Sequence, residues 1–242
     1  MTNNEKNKIR GMFLIIDRGN LKGLKHWAKE LEKRGIPSLI QIDAYTIEHH
    51  PSIVTDLAKR GFELGCAYNE RPLWNEPHAF QYETMKSMKD KVQPFLNRPM
   101  RVFNSKFFAY DAITLEVADE LGIEYVLARG THGVKAVVYK PEEYKTRIVS
   151  VSNIPYKEMG AGSLCDESLW CRGVTPKEFK EILFGITEEK IILVAQTHLS
   201  GVKLHWWNVY EDFLDANKVA WKSLDEFSGG AIALPNEQIP LN

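Results

Sequence analysis

The sequence predicts a parallel α/β fold, most simply a single closed barrel of about seven or eight strand–helix units. Short apolar runs alternate along the chain with helical segments of about 10 to 15 residues, the order typical of βαβ units. The runs at 12–16 and 191–195 are continuously apolar, as expected of strands buried on both faces of a parallel sheet. The 242 residues contain no Pro/Gly/Ser-rich linker, so we expect one domain.

The first unit is a strand over 12–16 followed by a helix. Leu24, Trp27 and Leu31 recur at helical spacing, which predicts one apolar face. Asn20 is the expected N-cap and Gly35 the expected stop, because Asn accepts hydrogen bonds from the first turn and Gly tolerates the left-handed backbone that ends helices.

The same alternation predicts the remaining elements. Further strands are expected at 38–43, 62–66, 101–103, 124–128, 134–139, 147–151, 191–195 and 219–221. Further helices are expected from Pro51 to a stop at Gly61, and at 77–95, 110–121, 176–184 and 206–214. The Gly-rich stretch 158–163 is expected to form a flexible loop over the barrel mouth.

Composition excludes several classes of protein. The 31 lysines and arginines nearly balance 32 aspartates and glutamates, so the basic surface of a nucleic-acid or anionic-membrane binder is not expected. The three cysteines lack CxxC spacing and are expected to be free thiols. Residues 1–10 are polar and expected to be flexible, and the apolar run after them is too short for a signal peptide or membrane span. We therefore expect a cytoplasmic protein.

Polar residues cluster where the expected strands end, the edge at which α/β folds place their functional groups. The residues concerned are Asp17, Arg18, Asn69, Glu70, Arg71, Arg101, Asn104, Lys106, Gln196, Thr197 and His198. In a closed barrel the first and last strands are neighbours, so Asp17 and His198 could meet. Such a pair could serve as base and acid in a hydrolysis or another acyl transfer.

These motifs resemble the NodB-type polysaccharide deacetylases, carbohydrate esterase family four. Asp17-Arg-Gly is similar to the end of that family's T-F-D-D-G, and Gly61-Phe-Glu-Leu-Gly65 is similar to the start of G-H-E-I-G-x-H-x-x-x-H. Arg101-Val-Phe-Asn104 stands where the family has R-P-P-Y-G, and the strand that leads to His198 resembles its final strand. The resemblance covers roughly residues 11–228 and implies the family's distorted (β/α) barrel. The divergence is similar to that of the WbmS-like branch.

The resemblance also implies that the family's metal site is missing. Family members bind zinc or another divalent metal through an Asp and two His, and the matching positions hold Arg18, Ala67 and Arg71. Two cations and a methyl group cannot bind Zn²⁺, which takes anionic or neutral N, O or S donors. We therefore expect no metal and no other cofactor.

Asp17 matches the family's catalytic base and His198 its catalytic acid. The substrate would be an N-acetylated or otherwise amidated sugar, free or nucleotide-linked, of surface-polysaccharide metabolism. Arg18, Arg71 and Arg101 are expected to hold its anionic groups, because guanidinium is a permanent planar cation. Further expected contacts are Asn69, Glu70, Asn104, Lys106 and a stacking ring at Trp206. A homo-oligomer is possible, whereas nucleic acid and a membrane span are not expected.

Other interpretations stay open at this stage. Asp17 could cap the first helix, Arg18 and Arg71 could form ion pairs with Asp17, Glu63 or Glu70, and His198 could be a structural histidine. The protein could be a catalytically inactive carbohydrate-binding or scaffold member of the family. A third hypothesis is a metal site relocated to Asp17, Asp43, Glu70 and His198.

Overall fold

The computed structural model describes residues 8–129, 133–156 and 160–235, which form a curled, largely parallel sheet with helices packed on it. The strands are β1 (Ile9–Ile16), β2 (Ser38–Asp43), β3 (Glu63–Tyr68), β4 (Val102–Ser105), β5 (Tyr125–Ala128), β6 (Val137–Pro141), β7 (Arg147–Ser150), β8 (Asn153–Pro155), β9 (Ala161–Ser163), β10 (Lys190–Gln196), β11 (Val219–Trp221) and β12 (Ile232–Leu234). The helices are α1 (Leu21–Lys33), α2 (Ala44–His49), α3 (Pro51–Lys59), α4 (His78–Val92), α5 (Ala112–Glu120), α6 (Asp166–Trp170), α7 (Pro176–Phe184), α8 (Leu204–Asp215) and α9 (Leu224–Ser228).

The main sheet runs in the order β10-β1-β2-β3-β4-β5-β7-β6-β12, with β11 beside the start of β1. Strands β10, β1, β2, β3, β4, β5 and β7 are parallel along this path, and β6 is antiparallel to β7. The backbone of Leu164 bridges the open side of the curl, since its N–H donates to Ser152 and its carbonyl accepts from Val194 of β10. The predicted α/β barrel class is confirmed, and the curled sheet forms a half-barrel.

Alternate side chains of each strand enter two separate cores. On β1, Met12, Leu14 and Ile16 point into the curl, whereas Phe13 and Ile15 pack against helices on its outer surface. Each such buried side chain contributes about 1.5–3 kcal/mol relative to exposure. Phe227 of α9 joins the inner core and covers the amino end of the curl, so the carboxyl end is left as the mouth.

The long periodic elements agree with prediction. Helix α1 begins at its predicted N-cap, since Asn20 Oδ1 accepts from the Gly23 N–H at 3.0 Å. Strands β2 and β11 and helix α7 have the predicted bounds. The flexible N-terminus was predicted too long, because β1 already begins at Ile9 and pairs with β11 there. Residues 1–7 lie outside the described residues.

The elements that the sequence did not predict are short. They are α2, α6, α9, the hairpin of β8 with β9, and β12. The Gly-rich stretch was predicted to be a loop, yet Ala161–Ser163 pairs with β8 as a strand, and residues 157–159 lie outside the described residues. Cys66, Cys165 and Cys171 are free, as expected. Within the described ranges, no helix has the length and apolar character needed to cross a membrane.

Two glycines bring α1 against the segment that follows β10. A Cβ on Gly23 would overlap the carbonyl oxygen of Thr197, and a Cβ on Gly201 would lie 2.5 Å from the Gly23 Cα. Both contacts are with backbone, which cannot rotate away as a side chain could. The close approach fixes the height of Thr197 relative to β1.

We therefore expect Gly23→Ala to lower the free energy of unfolding by about 3 kcal/mol or more, because the overlap outweighs the helix propensity gained. Urea unfolding of the two proteins measures the difference. Lys25→Ala, on the exposed face of the same helix, serves as the control and should stay within about 0.5 kcal/mol of the parent. A Gly23→Ala protein as stable as its parent would show that this contact is loose.

Candidate functional site

The mouth of the half-barrel is built from segments that follow β1, β2, β3, β4 and β10. These strands run parallel, so their carboxyl ends meet at one edge. Asp17 and Arg18 follow β1, Asn69 follows β3, Lys106 follows β4 and His198 follows β10. The polar residues predicted from strand ends are therefore brought to one edge, with the exceptions given below.

Asp17 is fully buried and holds three loops together. Its carboxylate accepts from the N–H of Gly19 at 3.0 Å, the N–H of Asp43 at 3.2 Å and the hydroxyl of Thr197 at 3.3 Å. Because Ile16 points into the curl, the next side chain along the strand points away from it. Asp17 thus connects the ends of β1, β2 and β10 from the outer side.

Burial raises the pKa of Asp17 above its ordinary value, and the hydrogen bonds to its oxygens oppose part of that rise. A carboxylate with its oxygens turned to backbone and hydroxyl donors is poorly placed to take a proton from a substrate or water. The role of catalytic base for Asp17 stays a prediction. Its contacts directly support a role in positioning the loops that follow β1, β2 and β10.

His198 pairs with a residue that the sequence did not single out. Its Nε2 lies 3.2 Å from a carboxylate oxygen of Glu167 on α6, and both side chains are half-buried. The other ring nitrogen, Nδ1, is buried and has no hydrogen-bond partner among the described residues. One ring nitrogen of the imidazole thus faces a carboxylate, and the other is enclosed without a hydrogen-bond partner in the described part of the chain.

Burial is the largest single influence on Glu167 and acts to raise its pKa, but the combined effect of its cationic neighbours prevails. Contact with His198, together with the charges of Arg18 and Lys106, leaves the pKa of Glu167 below its ordinary value. Glu167 is therefore an ionised partner for the imidazole at neutral pH. The positive charges of Arg18 and Lys106 thus act on the pair formed by His198 and Glu167.

A second buried carboxylate fixes the position of α6. Asp166 accepts from the backbone N–H of Gln196 at 3.1 Å and of Ser200 at 3.0 Å, and its own N–H donates to the Tyr210 hydroxyl. Burial raises the pKa of Asp166. The sequence signal for the role of α6 is the Asp166-Glu167 dipeptide with which this short helix begins. The sequence prediction for this segment concerned only its cysteines.

The cations and polar groups after β3 and β4 line the same mouth. Lys106 Nζ donates to the Glu70 carbonyl at 3.2 Å, and Asn69 donates to the Asp17 carbonyl at 3.0 Å and to Asp43 Oδ2 at 2.6 Å. A groove of about 560 Å³ continues outward from Asn69 between α2 and α4. Arg71 stands beside it.

Arg71 is exposed and faces Glu76 at 3.3 Å, with its guanidinium carbon 4.0 Å from the ring centre of Phe80, a groove residue. It therefore pairs with none of the carboxylates expected from the sequence. Asn104 is buried on β4, and its Oδ1 has no hydrogen-bond partner in the described part of the chain. Its predicted substrate contact stays a prediction.

Two predicted contacts are placed wrongly for this site. Arg101 precedes β4, so it lies at the amino edge, where its guanidinium is 2.9 Å from Asp225 and 3.5 Å from Glu63. Trp206 is 5% exposed and packs against Phe179, because α8 turns it toward the core. Neither side chain can touch a ligand in the mouth without rearrangement.

The donor set at the mouth does not fit a divalent metal. The positions that the sequence matched to family ligands hold two guanidinium groups and a methyl group, none of which donates an electron pair to a metal. Within 8–129, 133–156 and 160–235, three potential ligands approach one another at His78, Glu116 and Glu120, on α4 and α5 and outside the mouth. Asp17, Asp43, Glu70 and His198 do not assemble into such a group, so the relocated site is not supported.

Comparison with known proteins decides the family. The model of the polysaccharide deacetylase domain matches residues 4–126, just over half of the chain. The chain belongs to the polysaccharide deacetylase family. No curated protein matches the chain, and a place in the WbmS-like branch stays a prediction.

Solved structures share the polysaccharide deacetylase fold with this chain. A probable polysaccharide deacetylase from Pseudomonas aeruginosa PAO1 superposes with a TM-score of 0.72 at 10% identity, over 93% of this chain and 91% of the other. The allantoinase Puue gives 0.71 at 11% identity, over 92% and 90%. BA3943, a CE4 family pseudoenzyme from Bacillus anthracis, gives 0.64 at 9% identity, over 95% and 70%. The predicted distorted barrel of this family is confirmed.

The raised pKa of Asp17 predicts a specific pH dependence. The folded protein binds this proton more tightly than the unfolded chain does, so unfolding becomes harder as pH falls toward the ordinary Asp value. Compared with Asp17→Asn, the parent should gain stability on going from about pH 7 to about pH 4. Urea unfolding of both proteins across this range measures the difference, in which the contribution of Asp166 cancels. A parent that loses stability relative to Asp17→Asn as pH falls would mean that the site favours the ionised carboxylate.

Proposed function

We propose that this member of the polysaccharide deacetylase family hydrolyses an N-acetyl or related amide on an anionic sugar without a metal ion. The observation that carries the proposal is the contact of His198 with Glu167 at the mouth, where Nδ1 of the same imidazole is unpaired among the described residues and two cations act on Glu167. An imidazole oriented by an ionised carboxylate is the usual arrangement of a general base and acid. The family fold supports the same reaction class.

In the proposed reaction, His198 takes a proton from water as the water oxygen bonds to the acyl carbon. The C–N bond then breaks, and the imidazolium returns the proton to the departing nitrogen, giving a carboxylic acid and an amine. Glu167 stabilises the imidazolium between the two steps, because the ion pair is strongest while the ring is charged. Apart from solvent water, every group in these steps belongs to the chain or to the substrate.

Arg18 and Lys106 would supply the positive charge that the reaction needs. Both act on Glu167, so both lie within electrostatic range of the acid–base pair. Fixed cations at such a site stabilise the negative charge that develops on the acyl oxygen or hold an anionic substituent of the substrate. Asp17 would act as the orienter, through the hydroxyl of Thr197, the residue next to His198.

A second candidate function is sugar binding without hydrolysis. The enclosure of Asp17 favours it, because the residue matched to the family's base offers no free oxygen to water. One structural neighbour is itself a pseudoenzyme. In either case the proposed ligand is a free or nucleotide-linked sugar and the proposed setting is cytoplasmic.

Acetate release from a panel of N-acetylated and nucleotide-linked sugars tests the proposal, with and without chelator. We expect release that resists the chelator. His198→Gln should lower kcat about 100-fold or more, the usual loss when a general base or acid is removed. His205→Gln, an exposed histidine on α8, is the matched control and should behave as the parent.

Three results would contradict this mechanism. Chelator-sensitive release would show that a metal takes part, and equal rates for the parent and His198→Gln would remove His198 from the reaction. Sugar binding without acetate release across the panel would favour the non-hydrolytic function.

A further inference from the structure

The amino end of the curl, opposite the mouth, carries two cations that face each other. Arg10 of β1 and Lys190 of β10 are register partners on adjacent parallel strands. Side chains alternate along a strand, and Met12 and Ile192, two residues further along each strand, belong to the inner core. Arg10 and Lys190 therefore both point into the curl, from backbones that lie about 5 Å apart.

Neither cation forms an ion pair with a carboxylate in the described part of the chain. Glu226 lies within electrostatic range of Arg10, but its carboxylate accepts from the N–H and the hydroxyl of Ser223, both at 3.0 Å. Glu189, just before β10, is turned to solvent and lies 3.5 Å from Lys135. The Nε of Arg10 is buried and has no hydrogen-bond partner among the described residues. A buried donor of this kind is costly unless something accepts from it.

Lys190 is surrounded by apolar and positively charged groups. Its Nζ lies 4.2 Å from the ring centre of Phe227, the residue that covers this end of the curl. Burial, followed by the charges of Arg10 and Lys135, lowers the pKa of Lys190 to about 8. Because the ammonium form is destabilised here, it gains more from a bound anion than the ammonium of a solvated surface lysine does.

The guanidinium of Arg10 borders a stretch of chain without side chains. Gly229 and Gly230 follow α9 and are exposed, and a Cβ on Gly229 would lie 3.8 Å from Nη2 of Arg10. The φ of Gly229 is −58°, which any residue can adopt, so the backbone at this position does not require glycine. The missing side chain keeps the approach to the guanidinium open.

We propose that Arg10 and Lys190 form a binding site for a phosphate group, at the end of the fold opposite the mouth. A guanidinium presents a planar fork of donors to phosphate oxygens, and an ammonium adds a point charge. Lys135 adds a third positive charge within electrostatic range. A phosphate dianion neutralises two or three cations better than a single carboxylate does. The site is independent of the proposed hydrolysis.

Thermal unfolding and calorimetry of the full chain, starting in phosphate-free buffer, measure the binding. Added phosphate should raise the unfolding temperature more than chloride of equal ionic strength, because a ligand of the folded state stabilises it. Acetate is the carboxylate probe, and we expect phosphate to bind at least tenfold more tightly. Glycerol 3-phosphate separates the two sources of the group: binding equal to that of phosphate indicates a monoester ligand, and weaker binding indicates the free anion.

Two variants remove one charge each and keep an apolar stem. Lys190→Met and Arg10→Met should each weaken phosphate binding about tenfold or more, since each loses a charge-assisted contact. Lys33→Met is the matched control, because it removes the same charge from an exposed lysine on α1, and it should bind as the parent does. Phosphate also stabilises folded proteins without binding to a site, and the control variant shows that contribution.

A second measurement requires no variant and therefore does not depend on how a variant folds. With a pKa of about 8, the Lys190 amine is partly deprotonated at pH 7.5, so trinitrobenzenesulfonate can label it. Mass spectrometry of peptides locates the label. Phosphate should slow the labelling of Lys190 at least threefold and leave the labelling of Lys33 unchanged.

Equal phosphate affinity of the parent and both charge-removing variants would overturn the proposal, as would failure of the parent to bind phosphate. An unchanged rate of Lys190 labelling in phosphate would also overturn it. Acetate bound as tightly as phosphate would assign the site to carboxylates instead. None of these measurements uses acetate release, so a failure of the proposed hydrolysis is distinguishable from a failure of this site.

Discussion

The buried carboxylate of Asp17 is the interaction on which the mouth depends. Burying a charge is costly unless hydrogen bonds replace its hydration, and here donors from Gly19, Asp43 and Thr197 do so. Because these donors come from three strand ends, the carboxylate fixes the ends relative to one another. Arg18 and His198, the neighbours of Asp17 and Thr197 along the chain, inherit their positions from this contact.

The positions that the sequence matches to the family's metal ligands hold Arg18, Ala67 and Arg71. A guanidinium provides positive charge, but it cannot coordinate water and lower its pKa as a metal does. Under the proposed function, side chains carry out the proton transfer, and His198 is a titratable group at the mouth whose Nδ1 has no hydrogen-bond partner among the described residues. Under the proposed function, the cations at the mouth would favour anionic substrates over neutral ones.

The sequence predicted the elements whose apolar periodicity extends over many residues, and it failed where the placement of a single side chain had to be known. The parallel order, α1 and most strands were predictable, because apolar spacing and caps repeat the same information. Arg101 was misplaced because it opens the expected strand at 101–103 and therefore belongs at the amino edge, where the structure has it just before β4. Helix α6 spans five residues, too few for a periodic pattern, so Glu167 was missed. The burial of Trp206 depends on which face of α8 packs against the core, and the sequence alone does not determine that packing.

Two buried aspartates beside β10 bear on whether the mouth is functional. Burial raises the pKa of both Asp17 and Asp166, so the ionised form of either carboxyl costs stability. Apolar residues of similar size often fill such positions without loss of stability. The two carboxylates bind the backbone or hydroxyl groups of the loops that carry His198 and Glu167, and thereby set the distance between imidazole and carboxylate. Under the proposed function, this positioning is what an acid–base pair requires.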